Sequence, residues 1–157
     1  MNKEKQKDFA RRVSQANKTQ LVAVTFDIIV EYIDEACRKL ETGDIPEYRS
    51  ELKASQRFLG ELMSVLDYTY PIAVELLRLY EYVQRVLVAS DVSGTDKGLY
   101  SARNVMAKLG ASFTEISAQD DSEAVMENTQ QIVAGLTYGK GTLNEADMSA
   151  GNRGFLA

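Results

Sequence analysis

From Leu21 to Ile116, apolar residues recur every three or four positions, and no strand-like alternation or hairpin dipeptide competes with that period. The breaks are equally readable. Asn17-Lys18-Thr19-Gln20 has the residue types of a capping box, and the pattern behind it runs to Leu40 before Gly43 stops it. Asp44-Ile45-Pro46-Glu47 opens a second helix reaching about Leu66. Thr69-Tyr70-Pro71 opens a third that ends between Ser90 and Gly94, and Thr95-Asp96 opens a fourth that reaches about Ser117. Asp121-Ser122-Glu123 then starts a shorter helix that stops at Gly135. Ahead of Asn17, Phe9 and Val13 stand four apart on a weakly amphipathic turn or two, either frayed or docked.

The predicted fold class is therefore all-α: an up-down-up-down antiparallel four-helix bundle with a short extra C-terminal helix and a flexible tail. Its expected parts are an N-terminal segment over 1–16, the bundle over 17–118, the extra helix over 119–135 and the tail over 136–157. The tail is rich in Gly, Thr, Asn and Ser and too poor in apolar residues to offset its own ordering entropy.

The two even-numbered helices of the predicted bundle need only one core. Leu52, Leu59, Leu62, Met63 and Leu66 form a narrow stripe on the second, and Leu99, Ala102, Val105, Met106, Leu109, Phe113 and Ile116 form one on the fourth. The first predicted helix differs, because its apolar positions spread over roughly two-thirds of the circumference, wider than the usual arc. On the third, a flank of Leu79, Tyr82 and Val86 stands beside the core row Leu76, Tyr80, Val83 and Leu87. Something must cover these flanks. Either the N-terminal segment or the helix after Asp121 does so, or the flanks form a groove for another chain. The two accounts are compatible, since a detachable segment can occupy in the free protein what a partner occupies in a complex. The candidate binding positions are Val24, Ile28, Leu79, Tyr82 and Val86, with Phe26 and Tyr80 where flank and core meet.

Composition removes most chemistry from consideration. The 157 residues include no histidine, which excludes imidazole-based acid–base dyads and makes most catalytic zinc and carboxylate–histidine metal sites improbable. The single cysteine, Cys37, cannot form an internal disulfide and sits in an apolar helical run as a small hydrophobe. Gly135-Leu136-Thr137-Tyr138-Gly139-Lys140-Gly141-Thr142 superficially resembles a phosphate-binding loop. It has three residues between its glycines where four are needed, and Gly141 follows Lys140. Asp27, Glu31, Asp34 and Glu35 make the polar strip of the first predicted helix, a solvated face. No catalytic constellation remains, so the chain reads as a non-enzyme without metal or cofactor. With 18 basic against 23 acidic residues and a net charge of −5, it is not expected to bind nucleic acid. It has no secretory signal and no run long enough to insert in a membrane, so a reducing cytoplasm is the expected compartment.

The order and spacing of several short motifs resemble one family. Ala16-Asn17-Lys18-Thr19-Gln20-Leu21 is similar to the entry into the first helix of the bacterial flagellar export chaperone FliS family, and Phe26-Asp27 stands where that family commonly has Tyr-Asp. Gly43-Asp44 matches its break between helices. Ala54, Glu61-Leu62-Met63-Ser64 and Leu66-Asp67 resemble the end of its second helix. Ile72-Ala73, Leu76, Leu79-Tyr80-Glu81-Tyr82, Arg85, Leu87 and Ala89 resemble its third. The resemblance covers about residues 13 to 117.

It implies a cytoplasmic helical bundle that binds the disordered C-terminal region of flagellin and prevents polymerisation before flagellar, type III secretion. It also implies a groove capped by an N-terminal Tyr, for which this chain offers Phe9 out of alignment; it has Lys18 where a Pro is common. A further expectation is that Ile132, Val133, Leu136 and Tyr138 fold back over the groove as a competitor. The alternative from another class is a helical adaptor or regulatory protein whose surplus apolar surface forms a homodimer interface.

Overall fold

A computed structural model describes residues 1–126. It contains five helices: α1 (Lys3–Gln15), α2 (Lys18–Glu41), α3 (Ile45–Ser64), α4 (Ile72–Ser93) and α5 (Leu99–Ser117), with no strand among the described residues. Helices α2 to α5 pack in ring order, α2 on α3, α3 on α4, α4 on α5 and α5 back on α2, which is the expected up-down-up-down bundle. Helices α2 and α4 therefore stand at opposite corners. Helix α1 packs on α2 from outside.

Most boundaries follow from local chemistry. The Asn17 side chain accepts from the Gln20 N–H at 2.8 Å while Gln20 accepts from the Asn17 N–H at 3.0 Å, so the capping box satisfies two donors reciprocally. Gly43 takes φ +76°, a left-handed conformation that ends α2, and Asp44 then caps α3, accepting from the Glu47 N–H at 3.3 Å. Gly94 ends α4 in the same way with φ +68°.

Two starts differ from expectation. Helix α5 begins at Leu99 rather than at Thr95-Asp96, because Gly98 takes φ +85° and such a residue cannot lie inside a right-handed helix. The start expected at Asp121 is not a helix: residues 120–126 carry none, and the rest of that expected helix, 127–135, lies outside the described residues. There Asp120 accepts from the Ser122 N–H at 3.0 Å and from the Ser122 hydroxyl at 2.6 Å, which closes a local turn instead of capping a helix. The N-terminal segment, expected frayed or docked, is a 13-residue helix docked on α2, its Asn2 side chain accepting from the Lys5 N–H at 2.9 Å.

The core forms around Phe26, Ile29, Ile33, Leu52, Leu87 and Met106, all shut off from water. Complete burial of such side chains is worth about 1.5–3 kcal/mol each. Tyr48 is equally buried, and its hydroxyl donates to the carbonyls of Thr95 at 2.7 Å and Ser90 at 3.3 Å, tying the start of α3 to the α4–α5 connection. Arg103 of α5 forks onto Asp34 of α2 with two bonds of 2.9 Å. The predicted stripes on α3 and α5 face this core, except that Ile116 in the last turn of α5 is exposed.

Candidate functional site

The seven candidate residues separate into three environments. Val24 and Ile28 are buried beneath α1, in a small apolar cluster completed by Val13 and bordered by Phe9, Tyr32 and Phe58. This cluster is distinct from the main core. Helix α1 presents Phe9, Ala10 and Val13 on the side facing α2 and is otherwise polar, which is why so short a helix sits flat on that face. Ion pairs flank the contact: Lys5 with Glu31, Arg12 with Asp27, and the Met1 amino group with the buried Glu51.

Phe26 and Tyr80 lie inside the bundle. Their ring centroids are 6.0 Å apart and tilted, and Phe26 stacks on Phe113 at 5.3 Å, so these rings bridge the diagonal between α2 and α4. Burial pushes the Tyr80 phenol up to about 12. Leu79 is exposed, whereas Tyr82 and Val86 are half-buried against the rim of the core. The α2 pair and the α4 flank are on opposite corners, so the structure does not bring all candidates into one groove.

A further feature was absent from the sequence reading. Where α3 turns into α4, Val65, Tyr68, Tyr70 and Ile72 each expose more than half of their surface. Beside them opens a cleft of about 170 Å³ lined by Val22, Leu62, Leu66, Leu76, Tyr80 and Phe113. The signal was present as the apolar positions flanking Pro71, which punctuate a connection where polar residues are usual.

The strip Asp27, Glu31, Asp34 and Glu35 is engaged throughout by Arg12, Lys5, Arg103 and Arg38. Hydrogen bonding from Arg38 holds the Glu35 carboxyl below the usual range. Among the described residues no group of His, Cys, Asp or Glu is arranged to hold a metal ion. Burial, and then the charge of Asp34, push the Cys37 thiol up, which disfavours the reactive thiolate. No helix among the described residues is long and apolar enough to cross a membrane. The glycine-rich stretch at 135–142 and the apolar residues Ile132, Val133, Leu136 and Tyr138 lie outside the described residues.

Periodicity implied a helical bundle with surplus apolar surface on its first and third helices, the order of the motifs resembled one family, and comparison with protein-family models decides it: residues 1–120 match the family described as flagellar protein FliS. The chain belongs to the FliS family. It is a flagellar export chaperone by that membership, and the family is not one of enzymes. No curated protein matches the chain. The match to the FliS family includes α1, so the covering helix is part of the recognised unit, and it ends at residue 120, at the turn closed by Asp120.

Proposed function

We propose that this FliS-family protein acts in the cytoplasm, binds the disordered C-terminal region of flagellin and keeps it from polymerising before export. The observation that carries this reading is the cover over Val24 and Ile28. Apolar surface that the bundle core does not use is shielded by a 13-residue helix joined to α2 through only Ala16 and Asn17. A helix of that length is marginal alone and depends on the face it covers. An amphipathic client segment that orders on binding would satisfy the same face, and a large contact area would offset its ordering entropy. The α4 flank of Leu79, Tyr82 and Val86 and the cleft beside Ile72 supply further apolar anchors, so the client would have to run around the bundle to engage both corners.

Calorimetric titration with flagellin, intact and lacking its C-terminal region, tests the assignment. Binding is expected for the intact protein and lost with the truncation. Equal binding of both forms rules out that segment as the client.

The exposed Val65, Tyr68, Tyr70 and Ile72 favour a second reading in which this corner joins two copies of the chain. Sedimentation with and without a flagellin C-terminal peptide separates the two. A peptide-insensitive dimer supports the adaptor, and a monomer that binds peptide supports the chaperone.

A further inference from the structure

The two residues joining α1 to α2 are unusual for a connection, because Ala16 and Asn17 expose only 3% and 2% of their surface. Connections ordinarily lie open to water. This one lies under the segment that follows α5. The Val125 N–H donates to the Ala16 carbonyl at 3.1 Å. The Asn17 side-chain amide donates to the carbonyls of Asp120 at 2.9 Å and Ser122 at 3.3 Å, while its oxygen caps α2. The Thr19 hydroxyl, in the first turn of α2, donates to the Asp120 carboxylate. Met126 reaches the apolar cluster of Val13, Val24 and Ile28 that α1 closes.

We propose that residues 120–126 are a latch on this hinge and set how often α1 leaves the α2 face. For α1 to swing away, the backbone dihedrals of Ala16 and Asn17 must change. Both are now extended, with ψ 136° and 178°, and rotation there redirects the Ala16 carbonyl away from Val125. Opening α1 therefore breaks the backbone bond to the latch. Conversely, a latch that has peeled off leaves the Ala16 carbonyl open to water and removes Met126 from the edge of the cluster, so α1 loses part of what it packs against. The two movements are coupled in both directions, as any two linked equilibria must be. Asp120 is the last residue of the span matched to the FliS family and residues 121–126 lie past it, so the Val125 and Met126 part of this control is carried by chain outside that span. Its consequence for client capture rests on the reading above, in which α1 covers part of the binding face.

The test uses the full chain. Val125→Pro deletes the backbone bond from the latch to the Ala16 carbonyl, and Thr19→Val deletes the side-chain link to Asp120 with little change of volume. Hydrogen exchange of the α1 amides in the free protein should accelerate about fivefold in each variant, the weight of one net hydrogen bond, and by more in the double variant. The amides of α3 and α5 should keep their rates. Wild-type exchange of α1 in both variants overturns the latch, and so does a uniform acceleration of all helices, which would signal general loss of stability. Titration of Val125→Pro with flagellin separates the two claims. Faster α1 exchange with tighter binding supports both, whereas faster α1 exchange with unaltered binding keeps the latch and overturns the role of α1 as a cover for the client site.

Discussion

Gly110 of α5 lies so close to Phe26 of α2 that a methyl group built on it would sit 2.9 Å from the Phe26 Cβ. The obstructing atom is next to the backbone and cannot rotate aside. Helix propensity favours alanine over glycine by about 1 kcal/mol, but forcing a methyl into a packed contact costs about 1–3 kcal/mol. Gly110→Ala should therefore destabilise the protein by roughly 1 kcal/mol. Gly60 is also inside a helix and meets nothing within 4 Å, so Gly60→Ala should gain about 0.5–1 kcal/mol. Urea midpoints of the two variants should move in opposite directions, and a stabilised Gly110→Ala would show that α2 and α5 can move apart freely.

That contact also marks a limit of periodicity. Prolines, capping residues and positive-φ glycines made the four bundle helices readable, because Asn17, Gly43, Asp44 and Gly94 each meet a backbone need that few residues meet. The start at Asp121 failed for a reason of the same kind. An aspartate that accepts from the N–H two residues on has the same sequence signature as a helix cap, and Asp120 uses its carboxylate for that turn and for Thr19. Periodicity identified Val24 and Ile28 as surplus to the core, but it could not separate a side chain buried by its own N-terminal helix from one buried by the bundle, since both are simply apolar. Phe26 and Tyr80 fell on the ambiguous border and belong to the bundle interior.

The buried phenol of Tyr80 makes stability sensitive to alkali. Its value is raised from about 10 to about 12 by desolvation, so the unfolded chain releases this proton first. The associated stability is fully present below pH 10 and is lost as pH rises toward 12, amounting to about 2 kcal/mol. Tyr80→Phe should lose less stability between pH 10 and 12 than the wild type in urea titrations. Identical alkaline losses would place the phenol in contact with water.

Asp120 predicts sensitivity at the opposite end. Hydrogen bonds from the Ser122 hydroxyl, from Thr19 and from the Ser122 N–H hold its carboxyl below the ordinary aspartate value. A lowered folded value means that its contribution is present above about pH 4, the unfolded value, and is lost as pH falls through the folded one. Asp120→Asn should be less stable than wild type at pH 6, and the difference should vanish as acid protonates the wild-type carboxyl. Carbon chemical shifts of the Asp120 carboxyl report the titration directly. A stability difference that persists unchanged to pH 2 would assign the loss to shape instead of charge.

The α1 cover and the α4 flank can be tested separately because they occupy different corners. Phe9 packs against the cluster beneath α1 and carries the Arg12 guanidinium over its ring, so Phe9→Ala should weaken the cover while leaving the bundle core intact. If α1 competes with the client, destabilising the closed state by about 1.4 kcal/mol tightens apparent affinity for the flagellin C-terminal segment about tenfold. Ile28→Asp places a charge on the face itself and should abolish binding while the four bundle helices stay folded, with the helical circular dichroism falling only by the share of α1. Leu79→Asp, at a position already open to water, should leave the melting temperature unchanged and weaken binding by several-fold through the loss of one apolar anchor. Weaker binding by Phe9→Ala would make α1 a part of the client site instead of its rival. Unchanged binding by Leu79→Asp would confine the client to the α2 corner.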